Sequence, residues 1–214
     1  MVLNQRGKLV TAVDSRQYKE TERQKWDSVT SGWQKWWRTI ERGAGKLSNR
    51  LIELAEIKPG SRILDIATGI GEPAITVANQ MGKTGCYILA TDISPQMLSI
   101  AKQRAIALDL SNMIEFKVGD TETIDLPNST FDAALCRAGL MLFSDLNAGL
   151  SNIYQSLIEG GHFAAAVWGL PNKVPFISVV TNTIMKETNT PPPPPGTPGP
   201  FSLSDENSLK NSFI

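Results

Sequence analysis

The chain is poor in the residues on which several kinds of site depend. It has one histidine, His162, in 214 residues, which argues against histidine-built metal centres and a Ser-His-Asp triad. Its two cysteines, Cys86 and Cys136, lie far apart inside apolar runs. They form neither a disulfide framework nor a C-x-x-C metal spacing, and they read as small buried apolar side chains. No metal site is expected. Charge of either sign is not in excess, since 21 Lys and Arg balance 21 Asp and Glu, and no basic patch is dense enough to make nucleic acid the expected partner. There is no run of 18 apolar residues, and Met1-Val2-Leu3-Asn4-Gln5-Arg6 has no apolar core of signal-peptide length. No transmembrane segment is expected, and a cytoplasmic location is the default. The length suits one large α/β domain, with or without an appendage.

What is present is organised around Ile63-Leu64-Asp65-Ile66-Ala67-Thr68-Gly69-Ile70-Gly71-Glu72-Pro73. A short apolar run reads as a buried parallel strand. Two glycines follow, then Pro73 at a helix start, where its missing N–H costs nothing, then the apolar-periodic Ala74-Ile75-Thr76-Val77-Ala78. Strand, glycine turn and helix make the first crossover of a nucleotide-binding sheet. The pattern then repeats. Further strands are predicted at 86–91, 113–118, 131–137 and 162–168. Helices are predicted at 73–81, from Ser94-Pro95 to about Leu108 with Met97, Leu98, Ala101, Ala105 and Leu108 inward, and at 145–158. Gly160-Gly161 reads as a tight stop before the fifth strand. Five strands alternating with helices predict a doubly wound, mostly parallel α/β sheet, with ligands at the C-terminal ends of the strands. Asp65, Asp92, Asp120 and Arg137 would ring that edge.

Upstream, residues 1–14 look poorly ordered. Residues 15–41 read as a polar helix in which Trp26, Trp33 and Trp37 share one face. That stripe can dock the helix on the domain, or form a lid whose indoles line a pocket, and the two readings are compatible. Gly43 and Gly45 are expected to break the helix. A second one follows over residues 47–57, with Leu47, Leu51, Leu54 and Ile57 in register. Downstream, residues 174–186 suit one helix, 191–195 a stiff proline run, and Ser204 an N-cap for a last helix through Leu209. The expected organisation is a helical lid (1–57), a ligand-binding domain (58–170), and a helix, proline-rich loop and incomplete C-terminal part (171–214).

The kind of ligand follows from the glycine turn. The G-x-G-x-x-G spacing fails, because Ile75 stands where the third glycine or alanine belongs. Glu72 at the helix start would repel a diphosphate by ~1 kcal/mol or more. Asp65, four residues ahead of Gly69, suits a ligand carrying an ammonium and a sulfonium.

These residues carry a family resemblance. Leu64-Asp65-Ile66-Ala67-Thr68-Gly69-Ile70-Gly71 resembles the first motif of class I S-adenosylmethionine-dependent methyltransferases, with Ala67 at the first glycine position. Ala90-Thr91-Asp92-Ile93-Ser94-Pro95-Gln96-Met97-Leu98 is similar to the next motif. Gly119-Asp120-Thr121-Glu122 with Leu126-Pro127-Asn128-Ser129-Thr130-Phe131-Asp132 resembles the third, and Leu157-Ile158-Glu159-Gly160-Gly161-His162-Phe163 the turn into strand five. Among these enzymes the chain is most like the ubiquinone/menaquinone-biosynthesis C-methyltransferases of the methyltransferase type 11 group.

The resemblance implies a Rossmann-like fold, S-adenosyl-L-methionine as cofactor, and methyl transfer by in-line displacement to a small acceptor. It implies that Asp65, Ala67, Thr68, Gly69 and Gly71 hold the methionine part, Asp92 the ribose hydroxyls, Ile93 and Met97 the adenine faces, and Asp120 with Thr121 the adenine amino group. Arg137 would lie near the methyl-transfer point and is the one catalytic candidate, no general base being identifiable. Trp26, Trp33, Trp37 and Trp168 suggest an apolar or aromatic acceptor.

Structural readings stand beside these. Asp92 can be a helix cap, Asp120 a turn residue, Arg137 a partner of Asp145 or Asp132, and His162 a core or solvent-edge side chain. The resemblance also implies two strands beyond the end of this sequence. A chain truncated after strand five would leave Phe163, Ala165 and Val167 on an open edge, inviting oligomerisation or a non-catalytic binding role. A nicotinamide-dependent dehydrogenase is a remote alternative, disfavoured by Glu72, by the missing glycine and by the lack of a Tyr-x-x-x-Lys pair.

Overall fold

In a computed structural model of the chain, the described residues are 15–82, 85–194 and 196–213, with the backbone of 2–3 and 9–10. Val2–Leu3 (β1) and Leu9–Val10 (β2) pair antiparallel; the rest of the expectation for residues 1–14 lies outside the described residues. The body is a five-stranded parallel sheet of β3 (Arg62–Ile66), β4 (Tyr87–Asp92), β5 (Ile114–Val118), β6 (Phe131–Arg137) and β7 (Leu157–Ala166), in the order β5-β4-β3-β6-β7. The chain winds outward from β3 to one edge, then returns to β6 on its other side. Loops leaving the C-terminal ends of β3 and β6 therefore part company and leave a crevice.

Period-two alternation builds the two faces. Ile63, Ile88, Ala90, Ala133 and Leu135 point to one side, where they meet α2 (Ala74–Met81), α3 (Pro95–Ala107) and the end of α1 (Ser15–Leu54). Leu64, Ile66, Leu89, Ala134 and Cys136 point to the other, under α4 (Leu146–Ser156) and the short 3-10 turn Leu140–Leu142. Helix starts carry the expected chemistry. Ser94 Oγ accepts from the Met97 N–H at 3.0 Å, and Asp145 Oδ1 accepts from the Ala148 N–H at 3.0 Å.

Four local expectations are corrected. First, α1 runs unbroken through Gly43 and Gly45. Two interior glycines cost about 1 kcal/mol each, and tertiary anchors on both sides outweigh that. Glu41 is ion-paired just before them, and Ser48, Leu51 and Ile52 are buried just after, whereas Leu47 and Leu54 face solvent. A Cβ at either glycine would meet nothing within 4 Å, so Gly43→Ala and Gly45→Ala should each raise stability by about 0.5–1 kcal/mol in urea unfolding. A loss of stability would mean that the helix is broken there in solution. Second, Leu108 is exposed at the C-cap of α3, and Ile100 and Arg104 complete its inner face instead. Third, Gly160 and Gly161 lie inside β7, not before it. Phe131 pairs with Leu157 but Ala133 with His162, so the glycines take up a bulge, with Gly160 at φ 76°. Fourth, the last helix, α6 (Glu206–Asn211), is capped by Asp205, while the Ser204 hydroxyl donates back to the Phe201 carbonyl.

The remaining C-terminal part holds α5 (Pro175–Glu187) and a proline run; Pro195 is outside the described residues. The Gly199 N–H and the Ser202 hydroxyl both donate to the Met141 carbonyl, which pins this part beside the crevice. β7 is an edge strand among the described residues, but its side chains are covered. Phe163 packs on Phe213 with ring centroids 6.1 Å apart, and Ala165 and Val167 are half-buried against the core. No helix among the described residues is long and apolar enough to cross a membrane.

Candidate active site

The loop after β3 curls tightly. Ala67, Gly69 and Gly71 all have positive φ, at 53°, 56° and 99°. At Gly71 a Cβ would stand 2.7 Å from Ile75 Cδ1, so only glycine fits without a shift. The loop is tied from beneath by Asp65, which is fully buried. Its Oδ2 accepts from Thr68 Oγ1 at 2.6 Å and from the Ala74 N–H, at the start of α2, at 2.9 Å. Its Oδ1 has no hydrogen-bond partner. Burial pushes the Asp65 carboxyl up to about 7, and its two hydrogen bonds and the charge of Arg137 pull it back only in part.

Asp92 ends β4 and is nearly buried. One oxygen accepts from the Gly69 N–H at 2.8 Å and the other from the Ser94 N–H at 2.9 Å, so it joins the β3 and β4 loops. Burial raises it to about 6, against the pull of those two bonds. Asp120, past β5, accepts from the Glu122 N–H at 3.1 Å and from the ammonium of Lys19 on α1. Lys19 also reaches Glu122 Oε2 at 2.7 Å. Arg137 closes β6. Its partner is neither Asp145 nor Asp132 but Glu41 of α1, gripped through two hydrogen bonds of 2.8 and 2.7 Å, with a third to Ser48 Oγ.

These strand ends and α1 enclose a cavity of about 380 Å³, within the range of small-molecule sites. Of the residues singled out from sequence, Ala67, Thr68, Gly69, Asp92, Ile93 and Met97 line it. So do Asp120, Thr121, Arg137, Trp26, Trp33 and Trp168. Asp65 and Gly71 lie behind the loop and shape it without lining the cavity. Trp37 is turned away: it packs beside Ile70, Met97 and Ile100, with the Arg104 guanidinium 4.2 Å from its ring centre.

Sequence reasoning missed part of the wall. Tyr18, Lys19 and Glu22 join it from α1, Met141, Leu142 and Phe143 from the turn after β6, and Phe176, Ile177 and Pro200 from the C-terminal part. Helical spacing from Trp26 could have flagged Glu22 and Tyr18, at i−4 and i−8. Nothing local marks the others.

The role expected of Glu72 is also corrected. Its carboxylate is buried and already met, by Arg104 Nη2 at 2.9 Å and Thr76 Oγ1 at 2.6 Å, so its charge is not free to repel a phosphate. The sign of the site comes from the whole wall. With Glu72 neutralised by Arg104, four carboxylates (Glu22, Asp92, Asp120, Glu122) line the cavity against two cations, Lys19 and Arg137. Such a wall, with an unpaired buried oxygen on Asp65 behind it, fits a ligand with positive charge and hydroxyl or amino donors, not a diphosphate. Cys136 is inert, its thiol pushed up to about 12 by burial.

Comparison with known proteins agrees with this geometry. A family model described as a methyltransferase domain matches residues 63–161. The demethylmenaquinone methyltransferase of Deinococcus radiodurans is 38% identical over 100 residues, 47% of this chain and 40% of that protein. The Thermus thermophilus protein of the same name is 32% identical over 127 residues, 59% of this chain and 56% of that one. The chain thus spans about half the length of the curated relatives it matches. A solved structure from Methanococcus maripaludis superposes with a TM-score of 0.65 over 87% of this chain and 82% of its own. At 19% identity that likeness speaks for the fold alone.

Proposed function

We propose that the chain is a class I S-adenosylmethionine-dependent methyltransferase of the ubiquinone/menaquinone C-methyltransferase type, which binds S-adenosyl-L-methionine and passes its methyl group to a small apolar or aromatic acceptor. The methyltransferase-domain match over residues 63–161 and the similarity to demethylmenaquinone methyltransferases support this reading. One observation carries the reading: the acids that follow β4 and β5, Asp92 and Asp120, line one cavity whose wall is net acidic, and Asp65 of the neighbouring β3 is buried behind its loop. Bound there, the cofactor supplies a methyl group on a sulfonium, open to in-line displacement.

In this reading the chain binds, orients and excludes water. Asp92 accepts from the two ribose hydroxyls, using lone pairs left over from its bonds to the Gly69 and Ser94 amides. Ile93 and Met97 cover the adenine, and Asp120 takes its amino group with Thr121 alongside. The backbone of residues 67–71 and the free Oδ1 of Asp65 serve the methionine end. Arg137 stands at the end of β6 near the transfer point, where its pairing with Glu41 fixes its position and offsets its charge. Trp26, Trp33 and Trp168, with Phe143 and Phe176, give the acceptor an apolar chamber from which water is displaced. Catalysis of this kind is mostly positioning.

Calorimetry with S-adenosylhomocysteine and NADH, side by side, tests the reading. One-to-one binding of the first and none of the second is expected. Binding of NADH alone would turn the assignment to a dehydrogenase. With the cofactor bound, assay against quinol precursors and other aromatic acceptors would identify the chemistry of the acceptor.

A further inference from the structure

The ties that hold α1 over the sheet fall on the same loops that bind the ligand. Lys19 pairs with Asp120 and Glu122 after β5. Asp27 Oδ1 accepts from Ser94 Oγ at 2.6 Å after β4, two residues from Asp92. Glu41 grips Arg137 at the end of β6. Tyr18 donates to the Leu142 carbonyl at 3.2 Å, and the Ser15 and Ser144 hydroxyls meet at 2.8 Å. The two halves of the helix are held differently. Its C-terminal end is sunk in the core through Ser48, Leu51 and Ile52. Of residues 15–41 only Thr30 is buried, and polar ties with three half-buried indoles do the holding. Between the halves sit Gly43 and Gly45, with no neighbour within 4 Å of a Cβ position.

Resting on the cofactor reading above, we propose that residues 15–41 form an autoinhibitory strap: in the closed state Lys19 holds the carboxylate that would receive the adenine, and the helix must swing about Gly43 and Gly45 for the cofactor to load or leave. Lys19 and Asp120 both line the cavity, so their pair is made in its wall. A ligand held by Asp92 and Asp120 lies against Glu22 and Trp26 of the same helix. Loading then exchanges a Lys19–Asp120 contact for an adenine–Asp120 one. This exchange leaves a mark on ionic-strength dependence. Added salt weakens the partly exposed latch, while S-adenosylhomocysteine carries no net charge for salt to screen.

The paired hydroxyls of Ser15 and Ser144 provide a direct test. Ser15→Cys with Ser144→Cys, made together with Cys86→Ser, places two thiols close enough to oxidise to a disulfide. Stopped-flow tryptophan fluorescence then follows loading of S-adenosylhomocysteine. The oxidised form should load at least tenfold more slowly than the reduced form, and reductant should restore the rate. Lys19→Met, which opens the latch without a cross-link, should load at least threefold faster than the parent. The parent rate should rise between 50 mM and 500 mM NaCl, and that of Lys19→Met should stay flat. Equal rates in the two redox forms, or a Lys19→Met variant that loads like the parent, would overturn the strap and leave the cofactor reading standing. Failure of the uncross-linked parent to bind S-adenosylhomocysteine would remove both.

Discussion

Asp92→Ala should weaken S-adenosylhomocysteine binding by ~2–4 kcal/mol, roughly 30- to 1,000-fold, the worth of two hydrogen bonds to a charged acceptor in a buried site. The carboxylate is nearly buried and already spans two loops through the Gly69 and Ser94 amides. The variant therefore loses loop geometry as well as ligand contacts. Two orphaned amides also cost stability, about 1–3 kcal/mol each if they stay buried, so the urea midpoint is measured beside the affinity. A pH titration separates the ligand role from the structural one. Burial raises Asp92 to about 6, and only its ionised form accepts from two hydroxyls. Parent affinity should therefore fall as pH drops through about 6, and the alanine variant should lack that component of the acid limb. A folded Asp92→Ala protein that binds as the parent does would take Asp92 out of the site.

Asp65→Asn should act in opposite directions on stability and on binding. The Asp65 carboxyl is raised from its usual 3.8 to about 7, chiefly by burial. The folded state thus holds that proton more tightly than the unfolded chain does. The stability linked to it is complete below pH ~4 and is lost as pH rises through 7. Asparagine carries no such proton. Its carbonyl oxygen can keep the bonds from Thr68 and Ala74, so relative to the parent the variant should gain stability as pH goes from 4 to 8. At ~1.4 kcal/mol for each tenfold difference in proton affinity between the folded and unfolded chain, the ceiling is on the order of 4 kcal/mol. Urea midpoints at pH 5 and pH 8 measure the difference directly. On the cofactor reading proposed above, in which Oδ1 serves the methionine end, cofactor affinity should fall in the same variant, because that free acceptor becomes an amide donor. A stability cost retained at a binding residue is the pattern of a site shaped for a ligand and not for the empty fold. An Asp65→Asn protein less stable than the parent at pH 8 would contradict the unpaired buried carboxylate.

The cavity residues that follow the strands are legible in the sequence, and their partners are not. The strands, the Ser94 cap and the acids at three strand ends are each written within a few residues, where apolar runs, capping chemistry and glycine turns act locally. The pairings that set the charges are remote. Glu72 and Arg104 lie 32 positions apart, Glu41 and Arg137 96, and Lys19 and Asp120 101. All three depend on how helices lie across the sheet, and no local pattern encodes that. The same reason governs the two glycine pairs. Gly43 and Gly45 look like a break because intrinsic propensity says so, but Glu41 and Leu51 are fastened at both sides. Gly160 and Gly161 look like a stop, but β6 offers a ladder that extends past them through a bulge.

The length of α1 turns small local changes into large displacements. From Gly43 back to Lys19 the helix runs 24 positions, an arm of about 36 Å at the standard rise. A bend of only about 10° at the glycines would carry the Lys19 end through about 6 Å, more than a hydrogen bond can stretch. Glu41, two positions from the pivot, would scarcely move, so its grip on Arg137 survives while the far contacts part together. The helix is in effect a lever with its fulcrum near one end, and its N-terminal contacts release as a set.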